Sequence, residues 1–565
     1  VNAIKSNLDS EVNEGKGPIS SVLSDVSSIA STLYSVPMLS PIAGPTAWFT
    51  NLLSGVASSF GWSKPNLDTP VCRMFSTPHP YLANINEADA TNCLGLIADN
   101  KVTVMPDVNL SGVDEMSISF IKKQKAYYRT VTWTSTTLPG PLIRDTVHPF
   151  NFQNQLGAFP MGATSDVNAA DLTPICFLSK LYRFWRGSIE ITIKVVKTQY
   201  HTGRLLVAYG PSTSSGSITN SQTNYLHREI IDLRDGSEFC ISVPYCQNAM
   251  YMDSKSFNAG GVFSMLHVNV LNELVAPETA SQSVELLFEV RGGDDLEFQS
   301  PHFFNMTPTQ AISPQSGGDD QSMPILCNPI GGSTIHEPSK MASSLCIGEH
   351  STSLLQLMKR YTRLSGQTTF GGTNSILFYP YYWGAYFTSG VPLGGTTGFL
   401  TNDYMGLFAG CYAHSRGGIR YRLITDPVSE ADVTQGSVVS TLTNWPDGAI
   451  SYFNSTSNPL GVPSQEITSE AVELNAVNSF DSSYVGGSSI TVPMYSRTFA
   501  RLNKLMYINS AGAAPIGSPD TCSFGVRMTT TAPTFGTDAS LYRCAADDFQ
   551  FSFWLGVPTL GWINP

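Results

Sequence analysis

The chain is 565 residues long and about 42% apolar, enough for a sizeable core, and its length suggests two to four domains, fewer if they are large all-β units. Only 13% of the residues are charged, against about 25% in an average soluble protein. With 44 acidic and 32 basic residues the net charge is −12, which excludes a strong sequence-independent grip on nucleic acid, and the apolar content excludes a disordered chain. A weakly charged, Ser/Thr/Gly/Pro-rich globular chain of this kind fits a protein whose surface is largely covered by other subunits.

No run of about 18 apolar residues occurs, so no membrane-spanning helix is expected. No basic n-region precedes an apolar run, and the chain opens on Val1, so it reads as a fragment or a processed product. The ten cysteines are scattered, with no CxxC pair and no histidine pair beside them. Reduced, buried thiols in a cytosolic compartment are expected, without a metal or other cofactor.

Taken in chain order, the first 62 residues differ in texture from the rest. No charged residue stands between Asp25 and Lys64, and Ile19, Val22, Leu23, Val26, Ile29, Ala30 and Leu33 recur at helical spacing behind Pro18. A second stripe follows at Phe49, Leu52, Leu53, Val56 and Phe60. Two readings are open: an arm lying across another subunit, or an interfacial peptide that enters a bilayer. From Met116 the period becomes 2. Met116, Ile118 and Phe120 alternate with serines, and Val131 and Trp133 with threonines. Ile189, Ile191, Ile193 and Val195 alternate with Glu190, Thr192 and Lys194, as half-buried antiparallel strands require. The best helical signal is Ser353–Leu364. The fold class is therefore all-β.

A weak internal repeat divides the chain. Arg186-Gly-Ser-Ile opens a strand in the first half and Arg416-Gly-Gly-Ile in the second, and each half later reaches an acidic pair before an aromatic strand, at Asp294-Asp-Leu-Glu-Phe and Asp547-Asp-Phe-Gln-Phe. A linker of low hydrophobicity, 307–323, lies between them. Two antiparallel β-sandwiches of jelly-roll type, preceded by a short helical arm, are the economical architecture.

Few constellations carry chemistry. Gly-Asp-Asp occurs at 293–295 and 318–320, with Asp166 and Asp171 upstream, a pattern that suggests polymerase metal ligands. The acidic chain lacks the basic channel such chemistry needs, and Asp166 and Asp171 read as loop residues. His148, His201, His227, His267 and His414 are isolated and read as structural. The aromatic run 378–387 suits sugar or base stacking, with a protein interface as the default. Lys122, Lys123, Lys125 and Arg129 fall on a strand pattern that could touch RNA phosphates.

Several segments together carry a resemblance. Ser59-Phe-Gly-Trp-Ser-Lys-Pro65, Phe184-Trp-Arg-Gly-Ser-Ile189, Lys197-Thr-Gln-Tyr-His-Thr-Gly-Arg-Leu-Leu-Val207, Ile231-Asp-Leu-Arg-Asp235, Ser415-Arg-Gly-Gly-Ile-Arg-Tyr-Arg422 and Asp547-Asp-Phe-Gln-Phe551 resemble, in order, the capsid polyprotein of insect dicistroviruses and related picorna-like viruses. Pro314-Gln-Ser-Gly-Gly318 resembles a processing site of the viral chymotrypsin-like cysteine protease, cut between Gln315 and Ser316. The resemblance implies a small internal capsid peptide at 1–62, a first eight-stranded jelly roll at 63–315 and a second at 316–565. A third jelly-roll protein, absent from this chain, would complete the unit.

It implies further that the protein is structural rather than an enzyme, apart from a single-turnover autoproteolytic maturation, and that it resides in the virion, and in the host cytoplasm during assembly. The implied partners are other capsid subunits, genomic RNA, a host receptor, the viral protease and the endosomal membrane, the last through residues 18–60. Asp547, Asp548 and Phe549 match the Asp-Asp-Phe motif proposed in those viruses to drive cleavage near Trp62 and Ser63; Asp294-Asp-Leu departs from it at the third residue. The competing reading is a two-domain β-sandwich that binds carbohydrate or hydrolyses glycosides through paired carboxylates.

Overall fold

The computed structural model describes residues 91–103, 112–160, 166–212, 216–245, 247, 249–254, 263–302, 307–308, 328–329, 340–363, 368–370, 375–378, 380–381, 383, 385–387, 403–427, 437–444, 464–467, 477–481, 487–496, 498–503, 506–508, 524–530 and 537–562. The helical stripes of 18–60, Trp62, Ser63, Gln315, Ser316 and the second Gly-Asp-Asp lie outside the described residues. The chain divides into two compact units, one of residues 1–78 with 95–100 and the other of 79–94 with 101–565. In the first, the described residues 95–100 form a turn in which the Asn100 amide donates to the Ile97 carbonyl. Everything below concerns the second unit.

That unit begins with strand β1 (Asn92–Cys93) and helix α1 (Ile118–Lys123). Eight strands follow: β2 (Ala126–Thr134), β3 (Gly140–Thr146), β5 (Ile189–Val196), β6 (Thr202–Ser212), β7 (His227–Asp232), β8 (Glu238–Val243), β9 (Phe263–Val275) and β10 (Ser283–Gly292). They form two sheets, ordered β8-β5-β10-β2 and β3-β9-β6-β7, with every pairing antiparallel. This is the jelly-roll order, in which each sheet draws alternate strands from distant parts of the sequence.

Helix α2 (Pro174–Leu181) and β4 (Tyr182–Arg186) lead into β5, and β11 (Glu297–Pro301) follows β10. The period-2 expectation holds at β5, where Ile189, Ile191, Ile193 and Val195 are all buried. Apolar side chains from the two sheets and α2 share one core around Trp133, Phe177 and Phe288; burying each such aromatic contributes about 2–3 kcal/mol.

The second half repeats the plan. Beyond β12 (Asn328–Pro329), the strands are β13 (Thr362–Arg363), β14 (Ser375–Phe378), β15 (Tyr412–Arg416), β16 (Ile419–Pro427), β17 (Ser437–Asn444), β18 (Val477–Asp481), β19 (Gly487–Val492), β20 (Phe524–Thr530), β21 (Thr537–Ala545) and β22 (Gln550–Trp554). Helix α3 (Tyr404–Ala409) precedes β15 as α2 precedes β4. The sheets run β19-β16-β21-β13 and β14-β20-β17-β18, the same two orders.

The halves also exchange strands. β12, upstream of the second barrel, pairs parallel with β8 of the first, setting Asn328 opposite Ile241. β1, upstream of the first barrel, pairs parallel with β19 of the second, setting Asn92 opposite Ile490. Ile241 and Ile490 are equivalent, because the next inward-facing residues, Val243 and Val492, pair with Ile189 and Ile419 at the starts of β5 and β16. Each arm therefore extends the other half's sheet in the same register, covering an edge that would otherwise leave its hydrogen-bonding groups unpaired.

Four local expectations change. Residues 118–123 form a helix rather than a strand, because the Ser117 hydroxyl caps the Phe120 amide and Ile118, Ile121 and Lys122 turn inward together; five residues cannot separate a period of 2 from 3.6. The helix expected over 353–364 is confined to Leu355–Met358, and the chain then turns into β13. Asp166 and Asp171 sit in a strand, Asp166–Leu172, paired with Gln153–Pro160 and with Leu560–Trp562 near the carboxy end. Cys240, expected as a thiol, is disulfide-bonded, whereas Cys176 and Cys411 are free and buried.

Of the five histidines read as structural, His148, His201 and His267 are buried. His148 Nδ1 accepts from the Phe150 amide, and Nε2 lies 3.0 Å from the Trp185 indole nitrogen and 3.1 Å from the Asp253 carbonyl. Burial drives its pKa down to about 4, against a smaller upward pull from Asp253. Because the folded value is depressed, the His148 contribution is fully present above the unfolded pKa of about 6.5 and is lost progressively toward pH 4, by about 3 kcal/mol. Urea unfolding at pH 7.5 and pH 4.5 measures this: the wild-type loss between the two is expected to shrink in His148→Asn, and an unchanged loss would assign the pH dependence to other groups.

Candidate functional site

The internal repeat read from the sequence is a physical corner, built twice. In the first half, Thr173 caps α2 by accepting from the Cys176 amide, Pro174 occupies the first turn, and the chain continues through β4 to Gly187. Gly187 has φ +123°, and a Cβ there would fall 2.4 Å from the Asp295 carbonyl oxygen and from the Leu296 Cα. Only glycine allows both that backbone and that approach. The Ser188 amide donates to Asp295 Oδ1 at 2.9 Å, as does the Ser188 hydroxyl. The Gly293 amide returns to the Ser188 carbonyl at 3.0 Å.

The second half follows the same wiring. Asp403 caps α3 by accepting from the Gly406 amide, and β15 leads to Gly417 at φ +99°, where a Cβ would fall 2.3 Å from the Asp548 carbonyl oxygen. The Gly418 amide donates to Asp548 Oδ1 at 3.1 Å, and the Ala546 amide returns to the Gly418 carbonyl at 3.2 Å. Even the exceptional backbone recurs: Ser300 in β11 and Phe553 in β22 both have positive φ, each three residues beyond the start of its strand.

The two residues of each acidic pair therefore differ in situation. Asp548 is buried, and both of its oxygens accept main-chain amides, from Gly418 and, at 2.9 Å, from Val102. Asp547 is half exposed and paired with Arg420 at 2.8 Å and Lys359 at 3.9 Å. Partial burial pushes the Asp547 carboxyl up, but the Arg420 hydrogen bond and charge, with Lys359 and Lys101, outweigh it and hold the group below the ordinary carboxylate range. Phe549 is a core residue packed against Trp383 and Phe551, with ring centroids 6.0 and 4.9 Å away. In the first half, the Lys123 hydrogen bond holds Asp294 below the ordinary range, and Lys122, read as an RNA contact, is buried and donates to the Asp294 and Leu296 carbonyls at 2.7 Å.

Other sequence candidates change meaning. Tyr381 and Trp383, from the aromatic run, are buried in the second core rather than offered to a ligand. Asp171 accepts from the Thr559 hydroxyl. Among the described residues no group of three or more His, Cys, Asp or Glu side chains could hold a metal ion, and no helix is long and apolar enough to cross a membrane.

Sequence reasoning missed the arm contacts. Arg416 Nε and Nη2 donate to the Thr103 carbonyl at 3.2 and 3.0 Å, and Trp554 N and Tyr412 Oη donate to the Glu115 carboxylate and carbonyl at 2.8 and 2.9 Å. It also missed the fully buried Asp403–Arg543 pair. Those partners stand 140 to 439 residues apart, and no local spacing reveals them.

Comparison with known proteins follows the same division. Residues 339–564 match the family described as CRPV capsid protein like, and residues 163–258 match the picornavirus capsid protein family. The structural polyprotein of cricket paralysis virus is 24% identical over 96% of this chain and 66% of its own length; that of acute bee paralysis virus is 25% identical over 53% of this chain and 37% of its own. This chain thus spans less than two thirds of either relative. A black queen cell virus structure aligns with 27% identity and a TM-score of 0.37, covering 45% of this chain and 100% of that one. With two jelly rolls in tandem, a capsid-family match in each half and a structural polyprotein aligned along almost its whole length, the chain is similar to the capsid structural polyproteins of picorna-like viruses of the dicistrovirus type.

Proposed function

We propose that this chain assembles with a third jelly-roll subunit into a closed shell around genomic RNA, and that its processing follows the segment plan 1–62, 63–315 and 316–565. The observation that carries the reading is the reciprocal strand exchange between the barrels, which suits subunits meant to stay together. The viral cysteine protease separates Gln315 from Ser316, and a bond near Trp62 and Ser63 is cut once after assembly, freeing a peptide whose 18–60 segment enters the endosomal membrane. A host receptor binds the outside of the shell.

For the single cleavage, Asp547 is the carboxylate of its pair that faces outward as an anion. It takes a proton from a water attacking the peptide carbonyl; the intermediate collapses, and the leaving amine receives the proton. Asp547→Asn is expected to leave assembly intact and to abolish cleavage near residue 62, read by gel analysis of purified particles; normal cleavage in that variant would remove Asp547 from the chemistry. Velocity sedimentation of the chain co-expressed with its missing partner and the viral protease tests the assembly reading. A sharp, fast peak supports closed shells, and only slow species would count against them. The glycan-binding alternative loses Tyr381 and Trp383 to the core.

A further inference from the structure

The two corners share one wiring, and in the second the buried carboxylate also holds a segment from far upstream. In the first half the Ser188 hydroxyl and amide both bond the same oxygen of Asp295. In the second half Gly418 replaces that serine and supplies only its amide, to Asp548 Oδ1. Asp548 Oδ2 accepts the Val102 amide, and Arg416 grips the next carbonyl along, that of Thr103, through two of its nitrogens. Asp548 thus receives the N–H of Val102 and Arg416 the oxygen of the next residue, Thr103, a two-point clamp that reads main chain rather than side chain. Upstream, the same segment is bound along β19. The Thr91 and Thr491 hydroxyls lie 2.6 Å apart, the Asn92 amide side chain donates to Asn478 Oδ1 at 2.9 Å, and the Leu94 amide donates to the Thr491 carbonyl at 3.0 Å, with Leu94 itself buried.

We propose that the Arg416–Gly418 corner with Asp548 is an arm-anchoring site: it holds residues 101–103 by their main chain, so that an arm severed upstream stays bound to the second barrel. Asp548 is then a positioning residue, occupied on both oxygens, which leaves Asp547 as the group available to chemistry. The anchor rests on the corner geometry and stands whether or not cleavage near residue 62 occurs.

Trypsin supplies the test, because the Lys101–Val102 bond carries the anchored amide. Loss of a hydrogen bond to a charged acceptor is expected to raise local opening about tenfold or more. In the full chain, Asp548→Asn should therefore speed tryptic cutting at Lys101 by that factor. Arg416→Ala, which removes both donors to the Thr103 carbonyl, should act in the same direction. Asp295→Asn, which weakens the corresponding corner of the first barrel, should leave Lys101 protected. Unchanged cutting in Asp548→Asn and Arg416→Ala would overturn the anchor, as would equal exposure of Lys101 in Asp295→Asn. If Asp548→Asn does not fold, Arg416→Ala carries the same two outcomes alone.

Discussion

Asp403→Ala is expected to cost about 3–5 kcal/mol of unfolding free energy, the usual range when one partner of a buried ion pair is removed. Asp403 and Arg543 are each 1% exposed, with Arg543 Nη2 and Nε 2.5 and 2.6 Å from the two carboxylate oxygens. The same carboxylate caps α3 through the Gly406 amide, so alanine also removes the N-cap. The guanidinium left behind lies over the Trp383 ring, 5.5 Å from its centroid, with the Tyr421 hydroxyl as a hydrogen-bond partner. Most of the penalty is thus the stranding of a buried cation rather than the worth of the contact. The double variant Asp403→Leu with Arg543→Met is expected to recover most of the loss, because an apolar pair of similar volume carries no desolvation cost. Urea titration of the three proteins decides it: a single-variant cost below about 1 kcal/mol, the range of exposed pairs, would mean that water reaches the pair.

Gly417→Ala is expected to be as damaging, at about 3 kcal/mol or more, because strained backbone and a main-chain clash add. At φ +99° an L side chain is disfavoured, and the new Cβ would fall 2.3 Å from the Asp548 carbonyl oxygen and 2.5 Å from the Phe549 Cα. Neither is the movable end of a side chain. Relief requires β15 and β22 to part where they pair, from Arg416 opposite Gln550 to Tyr412 opposite Trp554. Gly187→Ala should show the same effect in the first barrel, since its Cβ would meet Asp295 and Leu296 at 2.4 Å. Thermal unfolding of both variants checks the equivalence of the corners. A mild effect in one and a severe effect in the other would show that the corner stabilises only one barrel.

The corner explains why the repeat was visible in the sequence at all. Arg-Gly-x-Ile and the acidic pair stand far apart in the chain, yet each is locally conspicuous, because a positive-φ glycine and a carboxylate that accepts a main-chain amide tolerate few substitutes. Strand β5 was legible for a similar reason, its four inward aliphatic residues alternating without interruption. Residues 118–123 were misread because their pattern is short and its helical character rests on a single capping hydroxyl. The aromatic run was misread because composition does not distinguish rings that bind a ligand from rings that fill a core.

The sequence by itself determined the class of fold, the division into two similar halves and the capsid resemblance, since each rests on periodicity, on repeats or on motifs contained in short stretches. Only the tertiary structure decided which aspartate of each pair is a clamp and which faces outward, that Asp403 and Arg543 meet, and that each half's arm completes the other's sheet. The physical reason is common to all three. A jelly roll pairs strands from opposite ends of its sequence, so the partner of a carboxylate or of an edge strand is fixed by packing and register, which spacing along the chain does not encode.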